Sequence, residues 1–365
     1  MLFLTLAHLS CHSDYEIIAR KPDVDPADVT NCGFEPIPST KMSRFQCNPV
    51  FTQTDEGWNQ GIASAAFHVT EVLGHPFYQI WYTSRSEDSY GLGYAVSDNG
   101  IEWQTHPANP IIIPTAGAWD QDALGAQVVV WDSSMESYIM AYQGVTLGAD
   151  DFDYGIWGLG IATSRDGVNW EKKTENPVID FLQDFRFDAE QRPCWPLTLN
   201  VTETGYTGYI ASATVGGGNA CNLYSLSSTD LIQWDFDSEE PILAAGFSYD
   251  RLGFADATVV EWIDSDSEEK TLYMFYVGFT DLINQGNYSL VSGTSLGLAI
   301  STDNGQTWEK SPNNPFPIQQ TEQGEITSVG AKRVGSRIHL WVGDRYDGAG
   351  AIGYFYYEPD IEAHE

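Results

Sequence analysis

The chain has 365 residues, of which 42% are hydrophobic and 13% aromatic, and it carries a net charge of −34 at pH 7 from 51 acidic and 17 basic side chains. That apolar content is too high for a disordered chain and enough for a sizeable core. The charge has the wrong sign for nucleic acid or an anionic membrane surface as a partner and reads as a solvated acidic exterior. The aromatic content fits a β-rich core, a ligand surface, or both.

Residues 1–11, Met-Leu-Phe-Leu-Thr-Leu-Ala-His-Leu-Ser-Cys, form a short apolar run ending at Cys11. A spanning helix needs about 20 apolar residues, so this run is too short to cross a bilayer. It resembles the end of a bacterial lipoprotein signal peptide with Cys11 as the lipidated residue. It departs from that pattern in having His8 within the run and no basic residue before it. A plain export signal or a buried N-terminal strand are the other readings. The expectation is an exported protein, either secreted or held at the outer membrane or cell surface by a lipid anchor. Residues 12–31 are polar, with Pro22, Pro26 and several Asp, and read as a tether. If Cys11 is lipidated, Cys32, Cys47, Cys194 and Cys221 remain, which allow three pairings. Proximity in sequence favours Cys32–Cys47 and Cys194–Cys221, consistent with an oxidising compartment. No Cys/His spacing matches a zinc site.

From about residue 40 onward the chain repeats itself. Trp103, Trp170, Trp234 and Trp308 each stand seven residues before a proline: Pro110, Pro177, Pro241 and Pro315. Ahead of each Trp lies a turn sequence, Ser97-Asp-Asn-Gly, Ser164-Arg-Asp-Gly, Ser228-Thr-Asp-Leu and Ser301-Thr-Asp-Asn-Gly. Asn and Gly there tolerate positive φ and close a hairpin. Ahead of the turns lie short Gly-flanked runs such as Gly91-Leu-Gly-Tyr-Ala-Val-Ser97 and Gly158-Leu-Gly-Ile-Ala-Thr-Ser164. After the prolines come aromatic-Asp/Asn pairs (Trp58-Asn59, Trp119-Asp120, Phe187-Asp188, Tyr249-Asp250). Small or β-branched runs follow at 63–69, 125–130, 195–201 and 255–260, and then aromatic strands such as Phe77-Tyr-Gln-Ile-Trp-Tyr82. Each unit therefore holds four short strands. The last unit supplies only three, at 326–334, 337–342 and 351–357. Met42 precedes Pro49 by the same seven residues, so the segment 42–49 is expected to complete that unit and join the two ends of the chain. The repeating prolines from Pro49 to Pro315 are 61, 67, 64 and 74 residues apart. Five radial four-stranded units make an all-β, five-bladed β-propeller over residues 32–360. A linear solenoid is the competing arrangement, and closure of the chain ends favours the ring.

The repeat resembles that of the five-bladed propeller glycosidases, the arabinanase, β-xylosidase, levansucrase and invertase group of families 43, 32, 62 and 68. The turn around Asp303 also resembles the Asp-box of sialidases, a structural feature in six-bladed proteins with an arginine triad. The first resemblance covers about residues 40–358. It implies catalytic carboxylates at the axial ends of the innermost strands, and a carbohydrate ligand. Acids that recur in every blade are read as structural: Asp120, Asp188 and Asp250 in the connections, and Asp98, Asp166, Asp230 and Asp303 in the turns. The acids that break the repeat at the starts of innermost strands are Asp122, Glu190, Asp256 and Glu325, and these are the candidate catalysts. Glycoside hydrolysis needs one protonated and one ionised carboxyl, and crowding acids about one axis supplies the protonated one. Arg85, Gln143, Asp344 and Arg345 follow second strands, and Arg192 and Trp195 enter the third unit; these six are candidate substrate-binding residues, and Trp58 is a further stacking candidate. The first unit departs from the family pattern, because its inner run 60–67 has no acid, and Asp256 stands where the family has Glu. The loops 144–155 and 278–293 are expected to wall the pocket. Their Gly and acidic content suits Ca²⁺, although no ordered ligand spacing marks a site and the chemistry requires no cofactor. Two functions stay open: a glycosidase acting on poly- or oligosaccharides, or a non-catalytic, glycan-binding surface propeller. In either case a monomer is expected.

Overall fold

In the computed structural model, residues 32–359 are described except 53–61, 73–74, 86–89, 148–153, 181–195, 213–219, 265–268, 286–287, 319–324 and 347–348. The described residues are strands, turns and irregular segments, with no helix among them. Five antiparallel sheets stand around one axis as the blades of a propeller. Their innermost strands are Ile62–Val72, Ala123–Asp132, Pro196–Thr202, Gly253–Ile263 and Glu325–Val334. Each touches the next, and the fifth touches the first, so the ring is closed. In every blade a second and a third strand follow by antiparallel pairing. The fourth is only two residues long in the first four blades, at Gln104–Thr105, Glu171–Lys172, Asp235–Phe236 and Glu309–Lys310. The repeating Trp thus stands just before its strand rather than in it.

The fifth blade is built from both ends of the chain. Met42–Phe45 lies against Ala349–Tyr357, with Met42 opposite Tyr357 and Arg44 opposite Phe355. Phe34–Pro36 adds one more strand outside it. A disulfide joins Cys32 to Cys47 across this terminal hairpin. Cys221 is also disulfide-bonded, with its partner beyond the described residues; Cys194, its expected partner, and Cys11 and the tether lie outside them too.

The repeated side chains explain why each blade closes on itself. Asn48, Asn109, Asn176 and Asn314, the residues before the repeating prolines, turn their amides onto the third strands. The Asn109 Oδ1 accepts from the Tyr94 N–H at 2.9 Å, and its Nδ2 donates to the Tyr94 carbonyl at 3.0 Å. Asn48 does the same at Tyr354, Asn176 at Ile161 and Asn314 at Leu298. An Asn side chain carries the same donor and acceptor as a peptide, so it extends the ladder where the following Pro cannot. The third blade has Glu240 before Pro241, and there Asp237 accepts from the hydroxyls of Ser225 and Ser227 instead.

The turn acids cap the outer hairpins. Asp166 accepts from the N–H groups of Val168 and Asn169 at 2.9 and 2.8 Å, and Asp230 and Asp303 act alike in their blades. These bonds hold the carboxyls of Asp166, Asp230 and Asp303 below the usual carboxylate range. In the first blade the capping oxygen belongs to Asn99, which accepts from Ile101 and Glu102. The sequence reading had placed Asp98 there, one residue early, because the Ser-to-acid spacing is two.

Asp120 and Asp250 are buried beneath the blade connections and paired with Lys172 and Lys310 of the outermost strands, each at 2.6 Å. Asp250 also accepts from the N–H groups of Gly246 and Phe247. Both are scaffold, as their recurrence implied.

Candidate active site

The loops that enter the innermost strands and those that leave the second strands share one face of the ring, and the inner strands carry that face down to the axis. All five inner strands have a break in register near their start: between Ile62 and Ser64, Gly125 and Val128, Pro196 and Thr198, Phe254 and Asp256, and Ile326 and Ser328. A bulge gives one strand an extra residue and re-aims the next side chain. The residues just past the five breaks are Ser64, Val128, Thr198, Asp256 and Ser328. Only the fourth blade puts an acid there.

Asp256 lines an axial cavity of about 70 Å³ that all five inner strands enclose. Its Oδ2 accepts from the Val329 N–H of the fifth blade at 2.8 Å, and its Oδ1 accepts from the Ala257 N–H at 2.9 Å. The Val329 N–H lies on the free edge of the fifth inner strand, so the carboxyl also satisfies a backbone donor that no further strand can reach. Burial dominates its protonation. It raises the pKa from the ordinary value of 3.8 to about 8, with the two N–H bonds working in the other direction. At neutral pH Asp256 is mostly protonated.

Glu325 opens the fifth inner strand, but all its acceptor capacity is taken. Oε1 accepts from the Ser292 hydroxyl and the Gly293 N–H at 2.8 and 3.1 Å, and Oε2 from the Thr294 N–H and hydroxyl at 3.1 and 2.9 Å. Although desolvation pushes its pKa up, these four bonds outweigh it and leave the carboxyl below its ordinary range. A carboxylate has about four lone-pair positions. Glu325 is therefore held as a carboxylate clamp by these four donors. What it clamps is the base of a hairpin, Asp281–Gln285 paired with Tyr288–Ser292, inserted between the second and third strands of the fourth blade. This hairpin is the form taken by the 278–293 loop.

Asp122 precedes the second inner strand on the same face, with its N–H on the Val145 carbonyl and its Oδ2 accepting weakly from the Gln121 amide at 3.4 Å. Gln143 lies opposite Gly125, whose missing side chain leaves room beside it. Gln143 is 2% exposed, and its Nε2 has no hydrogen-bond acceptor among the described residues. Arg85 ends a second strand, and Asp344 and Arg345 lie opposite Ile326 and Glu325 in the ladder. Glu190, Arg192, Trp195 and Trp58 lie outside the described residues. Among the described residues no group of three or more His, Cys, Asp and Glu side chains is arranged to hold a metal ion.

The sequence reading missed Lys332 and His68, which lie deeper on the inner strands of the fifth and first blades. Lys332 lines the axial cavity. Burial lowers its pKa, and burial together with the Lys332 charge lowers that of His68 to about 3, leaving the imidazole neutral. The available signal was a lysine inside a run, Val329-Gly-Ala-Lys332, that otherwise reads as buried strand.

Solved structures described as glycoside hydrolases share the fold of this chain. A structure described with the GH130 family of mannoside phosphorylases and hydrolases targeting β-1,2 mannosidic linkages in Candida mannan superimposes with a TM-score of 0.61 at 16% identity. That match covers 93% of this chain and 96% of the other. A glycosyl hydrolase from Bacteroides ovatus gives 0.59 at 16% identity, over 90% and 94% of the two chains. The Bombyx mori GH32 β-fructofuranosidase gives 0.55 at 14% identity, over 83% of this chain and 60% of that one. No protein-family model and no curated protein matches the sequence.

Proposed function

We propose that this protein is an exported enzyme that hydrolyses glycosidic bonds of poly- or oligosaccharides, with Asp256 as the proton donor to the leaving oxygen. The observation that carries this reading is the chemistry of Asp256. It is the one acid among the described residues that line the axial cavity, and burial keeps it protonated at neutral pH. A general acid works best when its pKa lies near the working pH. The candidates for the second carboxyl are Asp122 and Glu190, which precede the inner strands of the second and third blades in sequence. Gln143 offers its N–H, which has no partner among the described residues, to a sugar hydroxyl, and Arg85, Arg192, Trp195, Asp344 and Arg345 are further candidates for substrate binding. The solved structures of similar fold act on glycans, which supports a carbohydrate ligand. The Cys32–Cys47 disulfide supports export, since such bonds persist in oxidising compartments. Lipidation at Cys11 and a monomeric state belong to the same reading, and a Ca²⁺ ion is not needed for it.

The test is a panel of aryl glycosides and oligosaccharides with wild type and Asp256→Asn. Loss of a general acid lowers turnover by about 10²–10⁴-fold; equal turnover by the two proteins would remove Asp256 from the mechanism.

One observation favours a second reading, a propeller that binds glycan without cleaving it. In the first blade Ala65, Ala66 and Phe67 line the axial cavity, and no acid occurs at 62–70 where the glycosidases place one. Retention on an immobilised glycan, with no turnover of any sugar in the panel, would establish that reading instead.

A further inference from the structure

The axial cavity has a second end. Lys332 lies three residues beyond Val329, the backbone partner of Asp256, and so about 10 Å farther from the candidate active site at the strand rise of roughly 3.3 Å per residue. It is partly buried where it lines the cavity, and its side chain makes no ion pair or hydrogen bond with any described residue. Its pKa is lowered by burial alone, with no neighbouring carboxylate offsetting it. The residues beside it do not supply a negative charge. His339 lies opposite it in the ladder, and burial and the Arg337 charge hold that imidazole neutral, with a pKa of about 4. His68 is neutral as well.

An ammonium group removed from bulk water costs several kcal/mol unless it is paired or loses its proton. The cavity provides the room for a partner. A single water needs about 10–15 Å³ measured in this way, and the space here is about 70 Å³. Asn200, Thr198 and Thr258 add an amide and two hydroxyls to the lining, and each inner strand turns one edge of backbone N–H groups toward the axis.

We infer that the deep end of the axial cavity is a binding site for a small inorganic anion of halide size, held by Lys332 and by the polar groups of the facing inner strands. The anion takes the place of the missing carboxylate and joins the inner strands around one charge, so its binding stabilises the closed ring. This inference does not depend on glycosidase activity, since it concerns a different end of the cavity and a different residue.

The experiment uses the full-length protein and bromide as the probe. Thermal unfolding of wild type is followed as sodium bromide replaces sodium gluconate at constant ionic strength. A saturating rise in Tm is expected, because a ligand that binds only the folded state stabilises it by mass action. In Lys332→Met the rise should be absent, while the protein in gluconate stays at least as stable as wild type. Crystals grown in bromide should show an anomalous peak beside Lys332 Nζ, a readout that holds even if the variant fails to fold. Identical Tm in bromide and gluconate for wild type, or an axial cavity without an anomalous peak, would overturn the site. So would a saturating response that survives in Lys332→Met.

Discussion

Asp256 shows how much one residue's surroundings decide. Its folded pKa of about 8 lies above the unfolded value of 3.8. Below about pH 4 both states hold the proton, and above pH 8 neither does. Between these values only the folded state binds it, so folding is progressively disfavoured as pH rises, at about 1.36 kcal/mol per unit. Water in the axial cavity screens part of this, and a total of about 2–5 kcal/mol is expected. Asp256→Asn cannot titrate. Urea unfolding of both proteins from pH 4 to 9 should show wild type losing stability relative to the variant up to pH 8 and running parallel beyond it. A constant offset across the whole range would mean that Asp256 is ionised when folded. The residue itself was legible, because it breaks a repeat. Its protonation was not, because that depends on burial among inner strands far apart in the chain, which outweighs the Val329 N–H bond from 73 positions away.

A second case at the residue scale concerns the turn glycines. The Trp81 indole donates to the Gly167 carbonyl at 2.7 Å, and Trp341 donates to Gly100 at 2.9 Å, so the second strand of one blade is tied to the outer turn of the next. A Cβ on Gly167 would lie 2.9 Å from the Trp81 ring, and its φ of +78° also favours glycine. The third blade has Leu231 at this turn position with φ +67°, and the second blade has the small Ala141 where the first has Trp81. Leu231 and Ala141 share one core cluster, so volume is conserved across the blade boundary. Trp81→Ala should cost about 3–5 kcal/mol, and Gly167→Leu should be destabilising alone yet recover part of that loss when combined with it. Additive losses in the double-mutant cycle would show that the two positions do not share space.

At the scale of elements, the outer hairpin is a unit that its own sequence specifies. The Ser hydroxyl, the acid two residues on and the Asn before Pro all bond within their own blade, which is why four copies could be found by eye. The terminal hairpin differs, since it acts on a distant part of the chain. Met42–Phe45 fills the last ladder position of the fifth blade, and the Cys32–Cys47 bond closes a loop with a sequence separation of 15 outside it. A loop of that length corresponds to about 3 kcal/mol of chain entropy. Replacing both cysteines with Ser should lower stability by about that amount. Hydrogen exchange should then rise first at 42–45 and 349–357; uniform acceleration over all five blades would instead show that the ring opens only as a whole. Glu325 also breaks the repeat at a strand start, and there it anchors the hairpin inserted in the fourth blade.

At the scale of the whole molecule, similarity to solved propellers at 12–18% identity fixes the architecture and leaves the chemistry to the axis. The turnover comparison of Asp256→Asn belongs here, because the acid works only if the ring places an ionised partner across the same face.

The sequence by itself determined the blade count, the order of strands within each blade and the closing segment. Those features follow from local periodicity and from side chains that bond to their own or adjacent strands. The tertiary structure alone decided the surroundings of each acid. Asp256 lies just past the register break of its inner strand and Glu325 just before that of the next; burial against the fifth blade protonates one, and four donors from the fourth blade hold the other as a carboxylate. It also decided that Lys332 lines the axial cavity with no carboxylate beside it among the described residues. Desolvation and pairing across blades depend on residues far apart in the chain, and no local pattern encodes them.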